Sequence, residues 1–421
     1  MQLSTGDIEQ YRYDANGNVT KKIDPMGNET TYTYTATNQI KQVIDALGNV
    51  SSFTYDENGN VFTFTDGLKR EIRYQYNELN QLVKETTSMG VVTQYRYDKA
   101  GHLIRMEDST GQSEGYTYDT IDNLTSVTDS LGRKELYAYN PYGELISETD
   151  IAGNQTQYSY DVLGNVTELI APNDAHTTYT YDGNSQLLKT TDPLDFATTF
   201  AYDKNGQVIR TTDATGAVTK QTYTARNQLA TQTDASGHTV KLSYDGNGNQ
   251  TTLSDAKGKQ TIFAYDAVNR LTSTANRLGK VTRYTYDVQD NLTTITDANN
   301  GTTTFEYSPV GELEKQISAN GKTEAYSYRL DGQLEETTKA SGETISYRYD
   351  ELNRLIGKQL NNEDFVYAYD ENNQLVQADV STSFDLSEIE SDALKEKLPS
   401  SHTLTFERNQ YGDILRATTN E

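Results

Sequence analysis

The chain has 421 residues, 34% of them hydrophobic, with a formal net charge of -25 and no cysteine or tryptophan. Acidity on this scale argues against a nucleic-acid partner, which needs clustered Lys and Arg to release counterions, and against an anionic membrane surface. Without cysteine there is no disulfide framework and no thiolate metal site, and no apolar run approaches the roughly 18 residues of a membrane span.

The amino terminus, Met1-Gln2-Leu3-Ser4-Thr5, has no signal-peptide pattern. By position 11 the chain is already inside a repeat, so it reads as a segment taken from something longer. The repeat begins with Tyr11-Arg12-Tyr13-Asp14 and Asn16-Gly17-Asn18. It returns at Tyr95–Tyr97 before Gly101, at Tyr158–Tyr160 before Gly164 and at Tyr347–Tyr349 before Asn353. The second aromatic of the motif is Tyr in 17 copies at an unbroken spacing of 21, from Tyr13 and Tyr34 through Tyr181 to Tyr349. A fixed period of this size means a repeat architecture, which grows by addition and needs no closed core.

With the second Tyr as position zero, position −2 is aromatic except at Gln221 and Leu242. Aromatic, polar, aromatic is a period of two and predicts a strand with one packed face. The candidate aromatic ladder is Tyr11, Tyr13, Tyr32, Tyr34, Tyr95, Tyr97, Tyr158, Tyr160, Tyr179, Tyr181, Tyr347 and Tyr349. Position +1 is usually Asp, as in Asp14, and position +4 is Gly, Asn, Asp or Ser. Gly17, Gly59, Gly101, Gly164 and Gly206 stand there, the residue type that best tolerates a positive φ, so the chain turns. A second strand with Val, Leu or Ile at +6 in all copies but one (Gln250) follows, as in Leu124–Thr128, and then in most copies an Asp-x-x-Gly turn. Two strands of about six residues and two short turns fill the period.

Three architectures fit this unit. The narrow interior of a parallel β-helix favours stacked aliphatic residues over paired tyrosines. A β-propeller would alternate at two units per blade, and no alternation is visible. Successive hairpins in one antiparallel sheet suit the turn chemistry best.

The Tyr-x-Tyr-Asp-x-x-Gly-x-Leu pattern at this period resembles the YD repeats of the rearrangement-hot-spot (Rhs) family. That family includes bacterial wall-associated and polymorphic toxin proteins, shell components of insecticidal toxin complexes, and teneurins. The resemblance covers residues 11 to about 378 and a last copy at 403–419. It implies an all-β fold of tandem 21-residue hairpins in a large, curved, spiralling antiparallel sheet, part of a hollow shell. In toxin members such a shell encloses a carboxy-terminal effector. About 38 strands at roughly 4.8 Å spacing make a ribbon roughly 180 Å long, at most part of such a shell.

The repeat array is expected over residues 1–378. Tyr367-Ala368-Tyr369-Asp370 arrives one residue early. Residues 379–402 read as an insertion with a short helix, because Asp385, Glu388 and Glu390 precede Lys395 and Lys397 in the order a helix dipole favours. Its expected role is a packed insertion, a plug or a docking knob. Residues 403–421 resume a partial repeat at Leu404-Thr405-Phe406, and the uncapped terminal strands are expected to fray or pair edge to edge.

No catalytic constellation emerges. Asp14–Asn18 and Asp56–Asn60 lack the Gly at 6 and Glu at 12 of a calcium loop, so Asp is expected to cap its own turn. His102, His176, His238 and His402 have no metal-ligand spacing. Gly246-Asn247-Gly248 precedes a strand and is no phosphate loop. Asp24-Pro25-Met26-Gly27 resembles part of the self-cleavage motif of some Rhs toxins, but it occupies an ordinary second turn. Choline-binding modules of similar period rely on Trp, which is absent. The expectation is therefore a non-enzymatic structural segment with no cofactor or metal, secreted or at a bacterial cell surface. Its partners would be the rest of the shell and a toxin cargo in the same or a neighbouring chain. The alternative is an adhesion module that binds a glycan or protein ligand on the cell surface.

Overall fold

The computed structural model describes residues 8–350, 353–361, 363–369, 375–382, 401–408 and 414–420. It contains 38 strands, from Gln10–Tyr13 to Ile414–Asn420, and no helix among the described residues. The expected helix at 383–400 lies outside them.

Each repeat contributes a strand that ends on the position-zero tyrosine and a strand, usually of five residues, that starts at +6, as in Gln155–Tyr160 and Val166–Ile170. The pair is antiparallel. Tyr158 faces Leu169 and Tyr160 faces Val166, with a register shift between Ser159 and Tyr160. The next strand, His176–Tyr181, pairs with the previous one through Leu169 and Thr177. The chain is thus a run of hairpins without crossovers.

The turns explain the register shift. The N–H of Asp161 donates to the carbonyl of Asn165, and the N–H of Gly164 donates to the carbonyl of Asp161. This is a type I turn followed by a left-handed residue, which leaves a bulge beside the tyrosine. Among the described residues every +4 residue takes the left-handed conformation, from Gly17 (φ 88) and Asn38 (φ 62) to Asn353 (φ 58). The second turn repeats the geometry, with Asp24 N–H donating to Asn28 and Gly27 N–H to Asp24. The copy that comes one residue early is absorbed in a second turn: Leu360 pairs directly with Glu363.

Cα-contact density divides the chain into two compact units. One comprises residues 1–32, 115–128 and 133–301; the other comprises residues 33–114, 129–132 and 302–421. In both units, strands alternate exposed and half-buried residues, as in Lys134–Tyr139, and the tyrosines lie on the covered face. Among the described residues only Ile345, at 8% exposure, is a buried apolar side chain. With so little enclosed apolar volume, the sheet depends on cross-strand pairs and hydrogen bonds.

Candidate functional site: the tyrosine face and the turn edges

One contact recurs among the position-zero tyrosines. In many repeats the hydroxyl donates to the carbonyl of the residue 15 positions earlier, which is position +6 of the preceding repeat. The bonds run from Tyr55 to Ile40 (2.6 Å), Tyr97 to Leu82 (2.8 Å), Tyr160 to Leu145 (2.6 Å), Tyr181 to Val166 (2.9 Å) and Tyr349 to Leu334 (2.9 Å). The same bond recurs at Tyr202, Tyr223, Tyr244, Tyr265, Tyr286 and Tyr328. Tyr369 makes it to Leu355, 14 residues back, because its repeat is shorter. The ring covers the sheet and the hydroxyl ties one hairpin to the one before.

Tyr32, Tyr34, Tyr95, Tyr97, Tyr158, Tyr160, Tyr179, Tyr181, Tyr347 and Tyr349 are half-buried on this face, while Tyr11 and Tyr13 are exposed. Tyr13 is 60% exposed. Burial raises the phenol pKa of Tyr97, Tyr160 and Tyr181. Tyr158 is pushed up to about 12 by burial and by its hydrogen bond of 2.7 Å to Glu148.

Signal for the hydroxyl's role was present in the sequence. Position −2 accepts Phe at Phe53, Phe200, Phe263 and Phe305, whereas position zero is Tyr throughout the 17 copies. Ring packing alone tolerates Phe; a hydrogen bond to a main-chain carbonyl does not.

The first-turn edge is a second polar row. Asp14 Oδ1 accepts from the N–H groups of Asn16 and Asn18, both at 2.9 Å, and Asp161 does the same with Leu163 and Asn165. Asp161 also accepts from the Asn165 side chain, and that bond holds its carboxyl below the usual range. Side chains at +5 then reach the next repeat: Gln39 Nε2 donates to the Gly59 carbonyl at 2.7 Å and Asn60 Nδ2 to Asn80 Oδ1 at 2.9 Å. Arg270 reaches both Asp290 (2.9 Å) and the face of the Tyr286 ring (5.0 Å). A side chain at Gly206 would sit 3.0 Å from Gln186 Nε2, so φ (81) and space both favour glycine there. Gly17, Gly59, Gly101 and Gly164 occupy the same left-handed position.

In the unit that contains residues 33–114 and 302–421, the two turn edges meet. Arg70 Nη1 lies 2.9 Å from Glu312 Oε1, and Ser88 Oγ donates to the Leu330 carbonyl at 3.4 Å; both pairs are 242 residues apart. That offset is close to eleven and a half repeats, so a second turn faces a first turn. A cleft of about 640 Å³ lies along this seam, lined by Phe64, Ile72, Met89, Val91 and Leu330 with Asp66, Arg70, Glu312 and Arg329 among the polar residues.

Ring nitrogens of His102, His176 and His238 contact the carboxylates of Asp98, Glu168 and Asp234 respectively. The His402 side chain lies outside the described residues. No group of three His, Cys, Asp or Glu side chains is placed to hold a metal among the described residues.

The sequence matches the family model described as Teneurin YD-shell over residues 8–169 and 85–224, and the RHS Repeat model over residues 223–260, 265–302 and 289–323. The first spans more than half of the chain, which belongs to the teneurin YD-shell family of RHS-repeat proteins. Among solved structures it is similar to the Photorhabdus luminescens Tc holotoxin pore. The TM-score is 0.52 and the identity 14%, over 98% of this chain and 26% of that one. A TcdB2–TccC3 crystal structure also matches, with a TM-score of 0.45 and 14% identity over 98% of this chain and 32% of that one. The chain thus spans about a third or less of the length of these structures, and the likeness is one of fold. No curated protein matches the sequence.

Proposed function

We propose that this chain is a non-enzymatic wall segment of a YD shell that encloses a toxin effector and helps deliver it, in a protein secreted or displayed at a bacterial surface. Its partners in this reading are the remaining shell and the enclosed cargo. The observation that carries the proposal is the seam. A hairpin ribbon whose opposite turn edges touch, Arg70 to Glu312 and Ser88 to Leu330, is curved back on itself as the wall of an enclosure must be. Enclosure needs such a wall; an adhesion ribbon does not. The tyrosine hydroxyls support it too, because a face whose polar groups are tied into the sheet makes a uniform lining.

The test uses the natural polypeptide. Whatever follows residue 421 there is expressed alone and joined to the array. Encapsulation predicts that the following segment is toxic alone, and harmless and resistant to protease when joined. Equal toxicity in both forms, or an array that stands alone and binds cells directly, would favour the adhesion alternative.

A further inference from the structure

Beside the contacts Arg70–Glu312 and Ser88–Leu330 the two turn edges leave the cleft of about 640 Å³. All of its lining residues belong to the unit that contains residues 33–114 and 302–421. Clefts of ~300–1,000 Å³ hold ligands of drug size. The apolar lining comes from both edges, with Phe64, Ile72, Met89 and Val91 on one and Leu330 on the other. Met89 and Leu330 remain 41% and 58% exposed, so this apolar surface is open to solvent.

The charges that line the cleft do not balance. The Arg70 guanidinium is engaged by Asp66 Oδ2 (2.6 Å) and Glu312 Oε1 (2.9 Å), and that of Arg329 by Asp331 Oδ2 (2.9 Å). Asp350 takes Arg354 (2.6 Å). Asp108 is left over, and the reason is local. In the second turns at 24–28, 45–49 and 150–154 the fifth residue is Asn, whose amide donates to the second carboxylate oxygen of the Asp at 2.8, 2.9 and 2.8 Å. At 66–70 the fifth residue is Arg70, which does the same. At 108–112 it is Gln112. Asp108 Oδ1 still caps the turn, accepting from the N–H groups of Thr110 (2.9 Å) and Gln112 (3.0 Å), but Oδ2 has no partner among the described residues. A half-buried carboxylate oxygen thus stands unanswered on the wall of an apolar cleft.

We propose that the cleft is a binding site for a small amphiphilic cation, an apolar body that carries one ammonium group. The ammonium pairs with Asp108, and the body lies against Phe64, Met89 and Leu330. An anion fits poorly, because both lining guanidiniums are engaged. A bare divalent metal ion fits poorly too, since no three carboxylates or imidazoles converge among the described residues. Such binding is independent of what a shell encloses.

The probe is dansylcadaverine, an aromatic fluorophore on a short alkylammonium chain, titrated with the full chain and followed by fluorescence anisotropy. Its N-acetylated form is the neutral control, and dansyl-6-aminohexanoate is the anionic one. Saturable one-to-one binding of the ammonium probe is expected, with the anionic probe weaker by at least about tenfold. Asp108→Asn keeps the capping oxygen and removes the charge. It should weaken the ammonium probe by about tenfold and leave the neutral one unchanged. Leu330→Lys brings a cation to the cleft from the opposite edge and should abolish binding of the ammonium probe, which keeps the test open if Asp108→Asn fails to fold. Circular dichroism matched to wild type checks the fold of each variant. Asp297→Asn, in a second turn of the other unit, should change nothing. No saturable binding by the wild type, equal affinity for the anionic probe, or equal weakening by Asp297→Asn and Asp108→Asn would each overturn the proposal.

Discussion

At position zero, one hydroxyl distinguishes two aromatic positions that look alike in the sequence. Tyr181→Phe removes only the bond to the Val166 carbonyl. It is expected to cost about 0.5–1.5 kcal/mol, the ordinary net value of such a bond. Tyr181→Ala also loses the ring and should cost more than Thr180→Ala, whose side chain faces water. Local hydrogen exchange over residues 160–191 is the suitable measurement, since a repeat array need not unfold in one step. The same phenols set the alkaline limit. Burial raises Tyr97, Tyr160 and Tyr181 above the ordinary value of 10.0. The neutral form is favoured in the fold, so this contribution is complete below that value and is lost as pH rises through the raised ones. Tyr158 is pushed up to about 12 and titrates after these three. Phenolate absorbance is therefore expected to lag behind free tyrosine and to rise together with loss of the far-ultraviolet strand signal. Absorbance that follows free tyrosine while the strand signal persists would contradict this.

For the hairpin as an element, the turn decides the register. Gly206 has φ 81 and would place a Cβ 3.0 Å from Gln186 Nε2. Gly206→Val is expected to destabilise its hairpin by about 1–2 kcal/mol, the cost of the left-handed region, or more. Gly206→Asn should be milder, because Asn227 adopts φ 61 at the equivalent place in the next repeat. Equal losses from the two would show that conformation does not govern the position. Asp161→Ala removes acceptors from two backbone N–H groups and the Asn165 side chain, and exchange of the Leu163 and Asn165 amides should accelerate. The depressed Asp161 carboxyl stabilises the turn above the ordinary value of 3.8, and that stabilisation is lost as pH falls through its lowered value. Acid should therefore loosen the wild-type turn and leave the variant less changed.

Across the whole molecule, the contacts that matter are few and distant in sequence. Arg70 pairs with Asp66 in its own turn and with Glu312 across the seam, each side chain about one-fifth exposed or less. A double-mutant cycle of Arg70→Ala and Glu312→Ala should give a coupling of up to about 1 kcal/mol, as for a partly exposed pair. It should also open exchange on both sides of the seam at once, although the turns lie 242 residues apart. Independent effects would mean that the edges touch without holding each other. Strand, turn and face assignments were legible from residues such as Tyr158, Asp161 and Gly164, because strand period and left-handed turns are local properties. The hydroxyl bond was half legible, in the contrast between Phe53 and the tyrosines of position zero, but its acceptor could not be named. The acceptor is a main-chain carbonyl, which every residue carries.

By itself the sequence determined the 21-residue hairpin, its tyrosine face and its capped turns, since each rests on short-range sterics and hydrogen bonding repeated in every copy. Only the tertiary structure decided which edges meet. That choice depends on the small twist between neighbouring strands, summed over many repeats, and no single residue encodes the sum. The turn at 308–312 shows the consequence: its capped, left-handed geometry is that of other first turns, yet Ser308 is 4% exposed and Glu312 takes the Arg70 guanidinium because the ribbon's other edge returns there.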